Sequence, residues 1–223
     1  MHAFLAVLRR DLRLEARRRE TVLSMGVFAA TALLVFAFSF DLQRTPAATV
    51  GPAVLWVTAL FAATVGLSRV LAAESENDAM TGLLLAPVDR SALYFAKVAS
   101  AFFSTSLVEA ASFLGFVVLF DPKELRAPFG LFGLMLLATL GFIAAGVVLA
   151  GVVRHARGAG GTLLQVLLLP LAIPVFLGAI QTTSRLLRGL PLGDSAKWVP
   201  ALAAFDALYL ALGALLFERA LEE

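Results

Sequence analysis

The sequence predicts an all-α membrane protein of six transmembrane helices, preceded by an amphipathic helix lying at the membrane interface. Three observations carry that prediction. Hydrophobic residues make up 60% of the chain and charged residues only 15%, where a soluble domain has roughly 45–50% apolar residues with glycine included and about 25% charged. The remaining charges are segregated, so that residues 21–40, 45–68, 127–153 and 158–184 contain none. The connections between apolar stretches are short, and no soluble domain is attached to any of them. There is no cysteine, which excludes a disulfide scaffold, a thiolate zinc site and a thiolate nucleophile.

Each element follows from these runs. Residues 1–20 are helix-compatible, with Phe4, Leu5, Leu8 and Leu12 at spacings of three and four and Arg9, Arg10, Arg13 and Arg17 pointing elsewhere. Such a helix lies in the interface with its arginines near anionic headgroups. It serves either as a positive-inside anchor or as a docking surface for a cytoplasmic partner. The spans are predicted at about 21–40, 47–70, 92–120, 128–153, 160–181 and 198–217. Each is long enough to cross about 30 Å of hydrocarbon at 1.5 Å per residue. None alternates as a barrel strand would. In lipid every backbone amide must be paired, which leaves helices.

Orientation follows from Lys and Arg. Arg9, Arg10, Arg13, Arg17, Arg18, Arg19, Arg69, Arg90, Lys97, Arg154, Arg157 and Arg219 fall on one side. Arg44, Lys123, Arg126, Arg185, Arg188 and Lys197 fall on the other. The positive-inside rule then places both termini in the cytoplasm. The first span is not expected to be a cleavable signal, because no small-residue cleavage site follows it.

The predicted cytoplasmic loop 73–91 reverses this charge trend. Glu74, Glu76 and Asp78 stand within five residues, with Ser75 and Asn77 between them. Ser75 and Asp78 have capping-box spacing, and acids favour the positive end of a helix dipole. Ala79, Met80, Leu83 and Leu84 offer an apolar face around Gly82, Pro87 stops the helix, and Asp89 or Ser91 caps the next one. This is a short helix suspended between two spans, suited to be gripped by a partner protein. Anionic lipid would repel its acids, which argues against a helix lying flat on the membrane.

Three further features lie deeper. Pro170 and Pro174 interrupt the fifth span and predict a kink, either as a packing device or at a substrate site. The segment 182–197 dips back into the membrane as a re-entrant pair or lies on the outer surface. Glu109 and Asp206 stand inside the third and sixth spans, where an acid costs about 2.5–3.5 kcal/mol at the centre. They line a polar cavity or outer gate that Arg185 or Arg188 reaches, or they are protonated or paired structural acids.

The chemistry of a catalyst is missing. There is no GxxxxGK[ST], HExxH or GxSxG motif. The two histidines, His2 and His155, both fall on the predicted cytoplasmic side, so histidine ligation of haem within the membrane is not available to this chain alone. The chain reads as non-catalytic, without a metal site.

The runs GPAVLWVTALFAATVGLSR, AAESENDAMTGLLLAPVDRSALYFAK and RGAGGTLLQVLLLPLAIPVFLGA together resemble the haem exporter B family (CcmB), the membrane subunit of the cytochrome c maturation ABC complex. The acid-rich loop followed by GLLLAPVDRS is shared more loosely by type-2 ABC exporter permeases. The resemblance implies the type-2 ABC exporter fold and a coupling helix within Glu74–Pro87 that sits in a cleft of an ATPase subunit (CcmA-type). It also implies a haem-handling membrane subunit with a WWD motif (CcmC-type), a small membrane subunit (CcmD-type) and a haem chaperone (CcmE-type) as partners. The lipid bilayer surrounds the assembly, nucleic acid plays no part, and the location is the bacterial cytoplasmic membrane. Mg-ATP would be bound by the partner ATPase and haem by the complex, with no cofactor held by this chain alone. Trp56 and Trp198 are the only tryptophans, so this is not the WWD subunit. The rival expectations are a type-2 permease for lipid, glycan or drug, and a scaffold that only assembles partners.

Overall fold

The arginine-rich N-terminal segment forms helix α1, His2–Arg18, in the computed structural model, which describes residues 2–40, 45–75, 89–153 and 160–220. A sharp joint follows. Arg19 adopts the left-handed conformation (φ 54°), and the Glu15 Oε1 carboxylate oxygen accepts the backbone N–H of Val22 at 3.2 Å. That bond satisfies one of the amide donors left open at the start of α2, Glu20–Ser39. The remaining helices are α3 (Ala47–Ser75), α4 (Arg90–Phe120), α5 (Pro128–Val153), α6 (Gly160–Leu187) and α7 (Trp198–Ala220), with a 3-10 turn at Gly193–Lys197 ahead of α7.

Helices α2 to α7 each contain a stretch long and apolar enough to cross a membrane, and no strand occurs among the described residues. The six expected spans are therefore all present, and the chain is a multi-pass membrane protein. Because the number of spans is even, both chain ends lie on one face of the bundle, here called the terminal face. The far face carries the turns after α2, α4 and α6.

Two boundaries differ from the sequence prediction by five residues or more. Helix α3 continues past residue 70 to Ser75. Helix α6 continues past residue 181 to Leu187, because its polar residues find partners inside the bundle. Thr182 donates its hydroxyl to the Gly178 carbonyl at 2.9 Å, and Thr183 accepts the indole N–H of Trp56 at 2.9 Å. The helix then closes at Gly189 (φ 63°), where Leu190 N–H bonds Arg185 O at 3.0 Å and Gly189 N–H bonds Leu186 O at 3.1 Å. This is the Schellman arrangement, which requires a left-handed residue and so favours glycine. Among the described residues, 182–197 thus comprises the last turns of α6, this cap and the 3-10 turn, without a re-entrant helix pair.

Helices α3 and α5 form the centre, with 67% of the most apolar stretch of each buried. Helices α2 and α7 lie outside, at 17% each. The buried side chains separate into two main clusters. One, toward the terminal face, gathers Val7, Leu67, Leu93, Phe142, Val153 and Leu164. The other, toward the far face, gathers Trp56, Phe113, Phe116, Leu131, Leu187 and Leu202. Phe176 packs against both clusters, meeting the Trp56 ring edge-on at 5.4 Å and Phe142 at 5.9 Å. Outward-facing side chains such as Val27, Phe38, Val118, Phe129 and Leu215 are large, apolar and exposed, as a lipid-facing surface requires.

Pro170 and Pro174 lie within α6, on its exposed side with Val166, Leu169 and Ile173, while Leu168, Ala172, Val175 and Ala179 face the bundle. They free the carbonyls of residues 166 and 170 from helical pairing on the outward side, and neither proline ring points into the interior.

Candidate functional site

The expected coupling loop joins α3 to α4. Glu76, Asn77, Asp78, Met80, Gly82, Leu83, Leu84 and Pro87 lie outside the described residues. Glu74 and Ser75 are the last residues of α3, and their side chains lie outside the description as well. The exit from the loop is well defined. Asp89 caps α4, its Oδ1 accepting the backbone N–H of Ser91 at 3.0 Å and the Ser91 hydroxyl at 2.9 Å. Of the two caps the sequence offered, Asp89 is the one used.

Helix α1 is bound to that same end of α4. Its buried face runs through Val7, with Phe4 and Leu8 packed against the terminal-face cluster. Leu5, expected on the greasy face, is largely exposed. One turn beyond Val7, Asp11 Oδ2 meets Lys97 Nζ of α4 at 3.1 Å, with side chains only 13% and 9% exposed. The sequence reading treated Lys97 as a topogenic charge and passed over Asp11. The signal was available, because Asp11 follows Val7 by four and Leu8 by three and so shares their face, and a lysine inside an apolar run calls for a carboxylate. Arg9, Arg10 and Arg13 are exposed on the opposite face. Arg17 lies in the last turn of α1, with its side chain outside the description.

The two membrane-depth acids both press on α5, from different sides. Glu109 is 1% exposed, and its Oε1 accepts the Thr139 hydroxyl at 2.5 Å. Asp206 is 4% exposed and sits against Gly141, where an added Cβ would overlap its carboxylate and the ring of Phe205. Neither Asp206 oxygen, nor Oε2 of Glu109, has a hydrogen-bond partner among the described residues. Thr139 and Gly141 are two positions apart, so they face roughly 200° apart on α5 at nearly equal height. The acids therefore flank α5 rather than lining one common cavity.

Close packing continues below them. The Tyr94 hydroxyl donates to the carbonyls of Ala144 (3.0 Å) on α5 and Tyr209 (3.2 Å) on α7. Gly213 leaves room for the Tyr94 ring, which a Cβ would strike. Tyr94 carries no local sequence signal for this role, because both of its partner carbonyls belong to helices distant in the chain.

Arg185 and Arg188 do not reach the acids. Because α6 runs on to Leu187 before its cap, both arginines are carried to the far face. There they border an open depression of about 540 Å³, together with Gln181, Leu190, Asp194 and Lys197. Arg185 Nη1 donates to the Pro191 carbonyl at 3.1 Å. The expected grouping of Glu109, Asp206, Arg185 and Arg188 thus resolves into three separate places. Among the described residues no three His, Asp or Glu side chains are grouped to hold a metal.

The sequence has recognised relatives. The chain is 29% identical over 210 residues to "Heme exporter protein B" of Pseudomonas aeruginosa, an alignment covering 91% of this chain and 90% of that protein. It is 25% identical over 215 residues to "Heme exporter protein B" of Bradyrhizobium diazoefficiens, covering 96% and 94%. Residues 2–223 match the family model described as CcmB protein. With a match of that extent, on a bundle of six membrane-spanning helices, the chain belongs to the CcmB protein family.

Proposed function

We propose that this chain is the permease subunit of an ABC complex that handles haem during cytochrome c maturation, seated in the bacterial cytoplasmic membrane with both termini cytoplasmic. The observation that carries the reading is the family match across residues 2–223, supported by relatives that bear the name "Heme exporter protein B". The excess of Lys and Arg on the terminal face supports the orientation.

The proposed mechanism is mechanical. A partner ATPase, which binds Mg-ATP and performs the hydrolysis, closes on the acid-rich loop between α3 and α4. Both helices tilt. The movement of α3 passes through the Trp56–Thr183 hydrogen bond to the far end of α6, and that of α4 passes through Tyr94 and Glu109 to α5. Helix α1 moves with α4 through Asp11 and Lys97. The far-face geometry changes, and a haem-handling subunit with a WWD motif, a small membrane subunit and a haem-loaded chaperone respond. Haem belongs to the complex in this reading, and this chain converts the stroke.

The test is co-purification. Reversal of Glu74, Glu76 and Asp78 to lysine should abolish recovery of the ATPase while leaving the helical content and thermal unfolding of the chain unchanged. Undiminished recovery of the ATPase with that variant would refute the docking role.

A further inference from the structure

The far-face depression carries more positive charge than its surroundings answer. Arg185, Arg188 and Lys197 border it, and Asp194 is the one acid on its rim among the described residues. None of the three cations forms an ion pair among the described residues. They gather on the face with fewer cations, opposite the termini. Three cations against one acid leave a net positive field over the depression, which favours an anion there.

The depression is also built to hold its shape. The Arg185 guanidinium is tied to the Pro191 carbonyl at 3.1 Å and lies over Gly193 (φ 51°), where a Cβ would stand 3.1 Å from Nη1. Trp198 Nε1 donates to Gln181 Oε1 at 3.0 Å, fixing a polar group on the wall. Gly189 passes so close to the Glu124 carbonyl that a Cβ could not fit without a shift, which braces the turn against the α4–α5 connection. Ile180 and Leu190, both apolar and exposed, complete the lining. A pre-positioned guanidinium fork with two further cations recognises carboxylate or phosphate oxygens, and the apolar wall suits a greasy body beside the charged head.

We propose that this depression binds the acidic head of an amphiphile, a carboxylate or phosphate carried on an apolar body. Two sources share that chemistry: the propionates of a porphyrin and the phosphate of an anionic phospholipid. The porphyrin source rests on the haem reading above. The phospholipid source does not.

The test uses the full chain in nanodiscs of phosphatidylcholine, titrated with mesoporphyrin or with its dimethyl ester and read by quenching of tryptophan fluorescence. In a second arm, native mass spectrometry counts phosphatidylglycerol retained over phosphatidylcholine after extraction from mixed bilayers. For a porphyrin site, the free acid binds about tenfold more tightly than the ester, the scale of one charge-assisted contact. That preference is lost in Arg188→Gln/Lys197→Gln and kept in Arg188→Lys/Lys197→Arg. For a phospholipid site, the retained phosphatidylglycerol shows the same loss and the same rescue. A charge-dependent preference in either arm establishes the site and names its source, and success of the phospholipid arm alone removes haem from it without touching the ATPase test. A wild type that prefers the acid in neither arm, or a glutamine variant that keeps the wild-type preferences, overturns the proposal.

Discussion

Replacing Thr183 with valine tests the strut between α3 and α6. Thr183 is fully buried and Trp56 is 2% exposed, and the 2.9 Å bond from the indole N–H to the threonine hydroxyl joins residues 127 positions apart. Valine keeps the shape and removes the acceptor, leaving a buried donor unpaired. An orphaned buried donor costs about 1–3 kcal/mol in a water-soluble protein. Within a bilayer such pairs average about 0.6 and reach about 1.7 kcal/mol, because the unfolded helices also find partners. The Trp56 ring is closed in by Phe176 at 5.4 Å and makes no other hydrogen bond among the described residues, which places this pair toward the upper part of that range. A loss of about 1–1.5 kcal/mol is expected for Thr183→Val. The assay is equilibrium unfolding in dodecylmaltoside micelles titrated with dodecyl sulfate, followed by far-ultraviolet circular dichroism. A double-mutant cycle with Trp56→Phe separates the hydrogen bond from the loss of indole volume. Effects that add to within about 0.3 kcal/mol would refute the strut, since independent sites behave that way.

Gly141→Ala should force α5 and α7 apart, because its Cβ meets the Asp206 carboxylate and Phe205, and should lower stability in the same assay by about 1–3 kcal/mol. Gly133→Ala on the same helix meets nothing within 4 Å and should be neutral or stabilising by up to about 1 kcal/mol. The natural chain has no cysteine, so Glu109→Cys and Asp206→Cys can be probed directly with a membrane-impermeant maleimide. Both should remain unlabelled while Arg188→Cys reacts, and labelling at either acid would show a water-filled path that its burial argues against. Asp11→Ala should loosen α1 and speed tryptic cleavage at Arg9, Arg10 and Arg13. In the wild type, protection should persist in 0.5 M salt, because a pair this poorly exposed is weakly screened.

Four spans were legible as charge-free runs of about 20 residues or more, and the third and sixth as apolar runs broken only by isolated charges, Lys97 and Glu109 in one and Asp206 in the other. Helix ends were less so. Thr182, Thr183, Ser184 and Arg185 read as loop by composition, yet Thr182 and Thr183 are satisfied within the bundle and the helix continues through them. The pairings were least legible. Nothing in the sequence fixes the rotation of α5 that turns Thr139 toward Glu109 and Gly141 toward Asp206, since α5 is apolar on every side and gives no face to read. Asp11 and Lys97 are 86 positions apart, and only the docking of α1 reveals them as a pair. The resemblance carried the family, whereas the depression at Arg185 and Arg188 depended on the cap at Gly189 and the fold of the turn.

The lengths of two neighbouring helices set a relation between this protein and its lipids. Helix α2 has 20 residues and α4 has 31, or about 30 and 46 Å along their axes, and they pack together through Met25, Ala29 and Val108. A hydrocarbon layer of about 30 Å matches α2 with nothing to spare, while α4 has more than a turn in excess at each end. Hydrophobic mismatch therefore falls unequally. Longer acyl chains would leave the ends of α2 short of the interface and pull the surrounding bilayer thinner, whereas α4 absorbs the same change by standing more upright. Bilayer thickness thus acts as a shear between α2 and α4, so the chain length of the host lipids sets the resting tilt from which any stroke begins.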